Sequence, residues 1–591
     1  MEKHSFIERF YSWRIKHITD KQFIMLLSVV IGFMSGMAAV FIKNSVHFIQ
    51  HFLTGWTNDD AYNYLYIALP GIGILLVMIF IKFILKQGIG DGVPNVLYSI
   101  SKTSGLMKPH NIYSSVIASA ITVGFGGSVG LEGPTVATGA AIGSNTGRVL
   151  HLNYKQIVSL LGFASAGAMA AIFKAPIAAI VFALEVIMLD LTMASLVPLL
   201  LASVTAALTS YFFLGQNVLY PFEVTESFKL SHVLMYILLG VFTGFVSVYF
   251  IRIMDYFGKF FEGLASWWVR LALGASVLGL LLFLFPSLYG EGYRSINLAL
   301  HGDYQYIFEQ SIFYDYRDNF LIAIGLLLVI SLLKAVAASA TFGSGGVGGI
   351  FAPTLFTGAN FGLFFALFMN HFHLADIPVT NFALVGMAGM IAGVIRGPLT
   401  AIFLIAEISG GYELIMPLMI VSTISYASSK LFETDSVYTI QLAKKIDLIT
   451  HHKDKAVLSL MNIDSLIETN FMTINPNATL GDLVKVIADS TRNIYPVIDK
   501  DQNLKGLIFL DRVRHIMFNH EMYGKVLVKN LMFMPTTIVN YEDKMEEVAH
   551  KFQHSGKYNL VVLKDGKYLG FVSRANVFSK YRELLKDISE H

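Results

Sequence analysis

The sequence predicts an all-α polytopic membrane domain of two inverted repeats with broken helices, followed by a cytosolic α+β domain. Three observations predict it. Of 591 residues, 54% are hydrophobic and only 14% charged, far from soluble averages, and the charges are sparse between residues 22 and 430 but frequent afterwards. Second, GSVGLEGPTVATGA around Pro134 matches GVGGIFAPTLFTGA around Pro353, and FKAPIAAIVFALE around Pro176 matches IRGPLTAIFLIAE around Pro398. In that second pair the distance from proline to Glu185 or Glu407 is nine residues in both copies, so a membrane unit is duplicated. Third, the tail carries a smaller repeat of strand–turn–strand segments.

Residues 1–22 hold Lys3, Arg9, Arg14, Lys16 and Lys21 ahead of the first apolar run. The positive-inside rule puts this segment in the cytoplasm, and it lacks the apolar core and cleavage site of a signal peptide. The membrane domain is read as residues 23–443, with repeats over roughly 60–215 and 230–425. Long apolar runs begin near Phe23, Tyr64, Tyr236, Val269 and Phe320, several long enough to span the hydrocarbon. From Tyr113 to Leu214, and again from Phe342 to Ile424, the segments are short and broken by Gly and Pro. Interrupted segments at corresponding positions of two halves point to a transporter's binding site. Repeats that each cross an odd number of times are inverted, which leaves both chain ends in the cytoplasm.

The stretch Gly127 to Ser144 carries the chemistry. Gly127, Gly130, Gly133, Gly139 and Gly143 interrupt apolar sequence, with Glu132 among them. Irregular backbone at membrane depth is tolerated only where it is buried or lines a wet cavity, and a carboxylate there is a functional-site hypothesis. Gly133-Pro134 reads as a helix start with Pro in the first turn. The free amides and positive dipole end of such a start attract an anion, and Glu132 could itself be that anion. Ahead of it, Gly88 to Pro94 closes one apolar run and opens the next segment.

A linker is read over 444–466, then two units over 467–520 and 521–586. NIYPVIDKDQNLKGLIF from Asn493 resembles KYNLVVLKDGKYLGFVS from Lys557. Helical stretches, Leu480 to Ser490 and Lys544 to Ser555, accompany the strands.

Several classes are excluded. The chain has no cysteine, so disulfides and thiolate chemistry are absent. The 17 histidines form no spaced cluster, and no phosphate-binding loop or hydrolytic constellation occurs. The reading is therefore of no enzyme, no metal, no cofactor and no nucleic-acid partner; the partners are the lipid bilayer and a transported ion.

In their order, GDGVP (Gly90 to Pro94), GLEGP (Gly130 to Pro134), GGIFAP (Gly348 to Pro353) and Tyr438 resemble the signatures of the CLC chloride channels and chloride/proton antiporters, and the tail resembles a pair of CBS domains. The resemblance implies a homodimer in a bacterial inner or plasma membrane, each subunit with its own chloride pathway. By position, Glu132 matches the gating glutamate that competes with the anion and carries a proton, beside Gly133. Ile350 and Phe351 match the residues whose amides bind the central anion, and Tyr438 the tyrosine whose hydroxyl donates to it. Such dipoles hold chloride without the grip of a full charge.

Three positions depart from the family pattern. Asp91 stands where serine usually binds the anion, Leu131 replaces a basic residue, and Val186 follows Glu185 where proton-coupled members often carry an inner glutamate. Glu185, or Asp190 one helical turn past Val186, is the alternative inner proton acceptor. The matched positions of Glu185 and Glu407 favour a structural role at helix ends or the subunit interface. In the tail, Ser573 and Asn576 are what remains of a nucleotide-binding pattern, so a structural module is favoured over a nucleotide sensor. The function expected is chloride/proton exchange. The alternative is a passive gated chloride channel, and behind both stands a membrane sensor that transports nothing.

Overall fold

The computed structural model describes residues 17–54, 65–90, 92–187, 193–216, 219–220, 227–445 and 461–590. Asp91, Asp190, nearly all of the basic N-terminal segment and residues 446–460 of the predicted linker lie outside the described residues. The chain divides into two units, Met1–Ala443 and Lys444–His591.

Among the described residues of the first unit, eight helices are long and apolar enough to cross a membrane. The first half runs through α1 (Asp20–Thr54), α2 (Leu65–Ile79), α3 (Gly92–Lys102), α4 (Asn111–Gly124), α5 (Glu132–Val149), α6 (Tyr154–Phe173), α7 (Pro176–Glu185) and α8 (Met193–Leu214). The second half runs through α9 (Val233–Glu262), α10 (Trp267–Leu284), α11 (Tyr293–Leu300), α12 (Phe320–Gly343), α13 (Phe351–His371), α14 (Val379–Ile395), α15 (Pro398–Ser409) and α16 (Ile415–Lys430).

Local chemistry sets the breaks. Asn153 and Gln156 form a capping box at the start of α6. α7 and α15 each open on proline, which needs no amide hydrogen bond there. Lys174 (φ 57°) and Arg396 (φ 67°) turn the chain left-handed ahead of those prolines, at matching repeat positions. Small residues let α5 press on α6 and α13 on α14. A Cβ on Gly139 would lie 2.5 Å from the Ala164 carbonyl oxygen, and one on Gly358 2.6 Å from that of Gly386.

The duplication is written into the hydrogen bonds. Gly130 and Gly349, equivalent in the repeat alignment, exchange both backbone bonds as an antiparallel bridge at 2.8 and 2.7 Å. The Ser128 amide donates to Thr341 Oγ1 at 3.2 Å, and its counterpart, the Val347 amide, donates to Thr122 Oγ1 at 3.1 Å. Reciprocal contacts of this kind define a local two-fold axis, passing at the Gly130–Gly349 bridge, from which α5 and α13 depart. The membrane unit is thus an all-α domain of two inverted repeats.

The second unit is α+β. Strands β1 (Ile467–Glu468), β4 (Ile538–Asn540), β5 (Asn559–Lys564) and β6 (Lys567–Ser573) form a sheet in the order β1-β6-β5-β4, and β2 (Ile494–Ile498) pairs with β3 (Leu504–Phe509). Helices α17 (Leu480–Asp489) and α18 (Met545–Ser555) fall where the sequence puts them, and α19 (Arg574–Glu590) closes the chain. One detail differs from two self-contained halves: β1, at the head of the first, pairs with β6 of the second. Phe471, Ile494 and Leu507 of the first half share an apolar cluster with Val561 and Phe571 of the second.

Candidate functional site

Three helix starts converge. α5 begins at Glu132 and α13 at Phe351, each two residues beyond the glycine bridge. Gly92, at the start of α3 with φ 26°, lies against Gly133, where a Cβ would come within 3.1 Å of the Gly133 Cα. Only glycine at position 92 allows both that φ and that approach. Four amides at each helix start lack intrahelical acceptors, so the spot where the starts meet is positive without holding a formal cation.

Glu132 is fully buried in this spot. Its Oε1 accepts from the Tyr293 hydroxyl at 2.7 Å, while Oε2 meets no hydrogen-bonding side chain among the described residues. That oxygen lies over the bridge: a Cβ on Gly130 would collide with it and one on Gly349 would stand 3.4 Å away. The Ala352 amide at the start of α13 faces the same carboxylate. Ile350 is the N-cap residue of α13 and Phe351 its first residue, and neither amide meets a protein acceptor among the described residues. The Phe351 ring is turned away, packed on Phe173 and Phe182 at 5.9 and 5.7 Å between centroids.

Tyr438 is buried, and its hydroxyl has no protein partner among the described residues and faces the Glu132 site. Tyr220 is placed likewise, fully buried with a hydroxyl that has no partner among the described residues and its ring edge-on to Tyr293 at 5.7 Å. Glu132, Gly133, Ile350, Phe351 and Tyr438 are thus drawn from distant parts of the sequence to one region.

Glu185 is not among them. Its carboxylate accepts from the amides of Leu399 and Thr400 and from the Thr400 hydroxyl, and Val186 beside it is buried. In the tail, Ser573 accepts from the Asn576 amide and so caps α19, while Asn576 Nδ2 donates to Glu468 at 2.8 Å. Both are engaged within the protein.

Sequence reasoning missed Glu291 and Tyr293. They stand in the turn Gly290-Glu291-Gly292-Tyr293 ahead of α11, which answers to Gly90-Asp91-Gly92-Val93 ahead of α3 in the other repeat. The available signal was an acid between two glycines amid apolar sequence, the same signal that singled out Glu132.

Helix starts aimed at one buried spot within a polytopic membrane protein of inverted repeats define an anion-pathway architecture. The chain belongs to the voltage gated chloride channel family, whose profile matches residues 73–430, and CBS domains match residues 463–519 and 528–583. The H(+)/Cl(-) exchange transporter ClcA of Vibrio cholerae is 27% identical over 433 residues, covering 70% of this chain and 88% of that protein. The crystal structure of a slow cyanobacterial Cl-/H+ antiporter superposes with a TM-score of 0.62 at 21% identity, over 71% of this chain and 97% of that one. A eukaryotic CLC transporter superposes with a TM-score of 0.57 at 18% identity, over 93% of this chain and 98% of the other. These two structures share the fold.

Proposed function

We propose that the protein exchanges chloride for protons across the membrane, with Glu132 as both the gate and the proton carrier. The observation that carries this reading is the Glu132 carboxylate, buried among helix starts with Oε2 meeting no side-chain donor among the described residues. It occupies the kind of place an anion would take. Chloride entering that place displaces the side chain, and a displaced carboxylate away from the positive helix ends takes up a proton more readily. Anion movement and proton movement are thereby tied to one group. The amides of Ile350 and Phe351, the first turn at Gly133 and the hydroxyl of Tyr438 supply the remaining donors. The name of the Vibrio relative, an exchange transporter, supports the same reading.

A second reading, a passive chloride channel gated by Glu132, is favoured by the inner side of the site. Val186 is buried and Glu185 is spent on helix amides, so exchange requires water to reach Glu132 from within. The proposal further places both termini in the cytoplasm of a bacterial cell, pairs two chains in a homodimer, and gives the tail a structural role.

The test is proton movement in liposomes holding the purified protein under a chloride gradient, alongside Glu132→Ala. Uphill proton pumping that the substitution abolishes, with chloride flux retained, is the expected result. Chloride flux without proton movement in the unaltered protein would turn the conclusion to the channel. No chloride flux from folded protein would sink both.

A further inference from the structure

A cavity of about 630 Å³ opens beside the site, lined among others by Lys43, His47, Leu131, Glu291, Tyr293 and Arg294. Lys43 and His47 lie in the second half of α1, so with a cytoplasmic N-terminus the cavity faces outward. Glu132 does not line it. Among the described residues, the side chain hydrogen-bonded to Glu132 is that of Tyr293, which does.

Glu291 is built into the wall between them. Gly290 (φ 59°) and Gly292 (φ 84°) are both left-handed, and a Cβ on Gly292 would strike the Phe356 ring at 2.6 Å. Buried Lys334 holds the preceding backbone, donating to the carbonyls of Leu288 and Gly290 at 3.1 and 2.8 Å. Glu291 is half-buried, and its Oε1 accepts from the amide of Leu131, the residue next to Glu132, at 3.2 Å. The charged groups facing it are Glu132, Lys43 of α1 and Lys334 of α12. Around the cavity stand His47 and the Arg294–Glu309 ion pair, 2.8 Å apart. A carboxyl fixed by two glycines and a buried lysine, touching both the cavity and the gate backbone, is more than an ordinary turn requires.

We propose that Glu291 is the outer proton-transfer residue, passing protons between Glu132 and the water of this cavity. The inference rests on the reading of Glu132 as proton carrier. In the outward step the O–H bond on the Glu132 carboxyl breaks, its electron pair staying on the oxygen. A bridging water takes that proton and gives up another to the Glu291 carboxylate, where a new O–H bond forms. Glu291 then releases its proton to cavity water, and both carboxylates are again anionic. Lys43 and Lys334 keep the site's charge from becoming strongly negative while both are ionised.

The experiment uses full-length protein in liposomes, with chloride and proton fluxes recorded separately as external pH is varied, for the unaltered chain, Glu291→Gln, Glu291→Asp and Glu309→Gln. Glutamine keeps an acceptor for the Leu131 amide but cannot carry the proton. Expected is a fall in proton turnover of about tenfold or more in Glu291→Gln, chloride flux within about twofold, and partial recovery in Glu291→Asp. In an uncoupled Glu132→Ala background the Glu291→Gln change should add nothing. Equal loss of both fluxes, or a Glu291→Gln protein with unaltered proton turnover and pH profile, would overturn the proposal. If the unaltered protein moves chloride but no protons, the exchange reading fails by itself. Glu291 then stands or falls on whether Glu291→Gln, but not Glu309→Gln, shifts the external-pH dependence of chloride flux.

Discussion

Glu185 and Glu407 cap one another's helices. Glu185, the last residue of α7, accepts from the Leu399 and Thr400 amides at the start of α15 at 3.1 and 2.7 Å. Glu407, near the end of α15, accepts from the Ile177 and Ala178 amides at the start of α7 at 3.1 and 2.8 Å. Each carboxylate meets the positive end of the opposing helix, and each supplies acceptors to amides that have none within their own helix.

From this exchange follows a stability prediction. Glu185→Ala or Glu407→Ala leaves two or more amides unpaired where water is scarce, at a cost of about 1–3 kcal/mol each. Glutamine, which still accepts, should cost less. Thermal unfolding in detergent measures the difference. Proton-to-chloride coupling should be unchanged in Glu185→Gln, and a folded Glu185→Gln protein that loses proton movement alone would make Glu185 an inner relay instead of a cap.

Tyr293→Phe removes the one side-chain donor to Glu132 among the described residues. A hydrogen bond to a charged acceptor contributes about 1.5–3 kcal/mol, and 1.4 kcal/mol is a factor of ten in an equilibrium. With Glu132 held less firmly, chloride competes better for the same place. Apparent chloride affinity, read by calorimetry on purified protein, should therefore rise about tenfold. A fall in affinity would mean that Tyr293 serves chloride more than it serves Glu132.

Tyr438→Phe is the complementary case. Among the described residues the hydroxyl has no protein partner to lose, so its removal leaves no orphan behind and thermal stability should hold. Chloride binding should weaken by several-fold, about 1 kcal/mol. A loss of stability with unchanged chloride affinity would assign Tyr438 to packing.

Much of this was legible because glycine and proline mark backbone needs that side-chain chemistry cannot disguise. The match of Pro134 with Pro353 and of Pro176 with Pro398 marked the repeats and made Gly130 and Gly349 equivalent, but that the two glycines meet is seen only in the fold. The two hairpins of the CBS-like tail were legible, since apolar runs flank polar turns at Asp499 and Asp565, whereas the short strands β1 and β4 were not. Partners were another matter. That Glu185 and Glu407 occupy equivalent positions was readable, but their facing each other's helix starts depends on the two-fold axis in space. Glu291 lies in a Gly-acid-Gly stretch that repeats Gly90-Asp91-Gly92 at an offset different from that of the matched prolines, and Lys43 and Lys334 are single cations inside apolar helices that no repeat marks.

The tail offers a pH test free of the membrane. In the β2–β3 turn, Asp499 accepts from the Asn503 side chain at 3.0 Å, the Asn503 and Asp501 amides at 2.8 and 2.9 Å, and Lys505 at 3.0 Å. All these donors favour the ionised form, Asn503 foremost, and hold the carboxyl well below its ordinary value of 3.8. A group depressed on folding contributes stability that is fully present above its unfolded pKa and lost as pH falls through the folded one. The turn should therefore be tightest at neutral pH and loosen only below about 4. Hydrogen exchange at the Asn503 amide is the measure. Asp499→Asn should speed it at pH 7, and the difference from the unaltered protein should shrink as the medium is acidified. A difference that persists unchanged into acid would mean that the turn is held by its backbone geometry and owes nothing to the charge on Asp499.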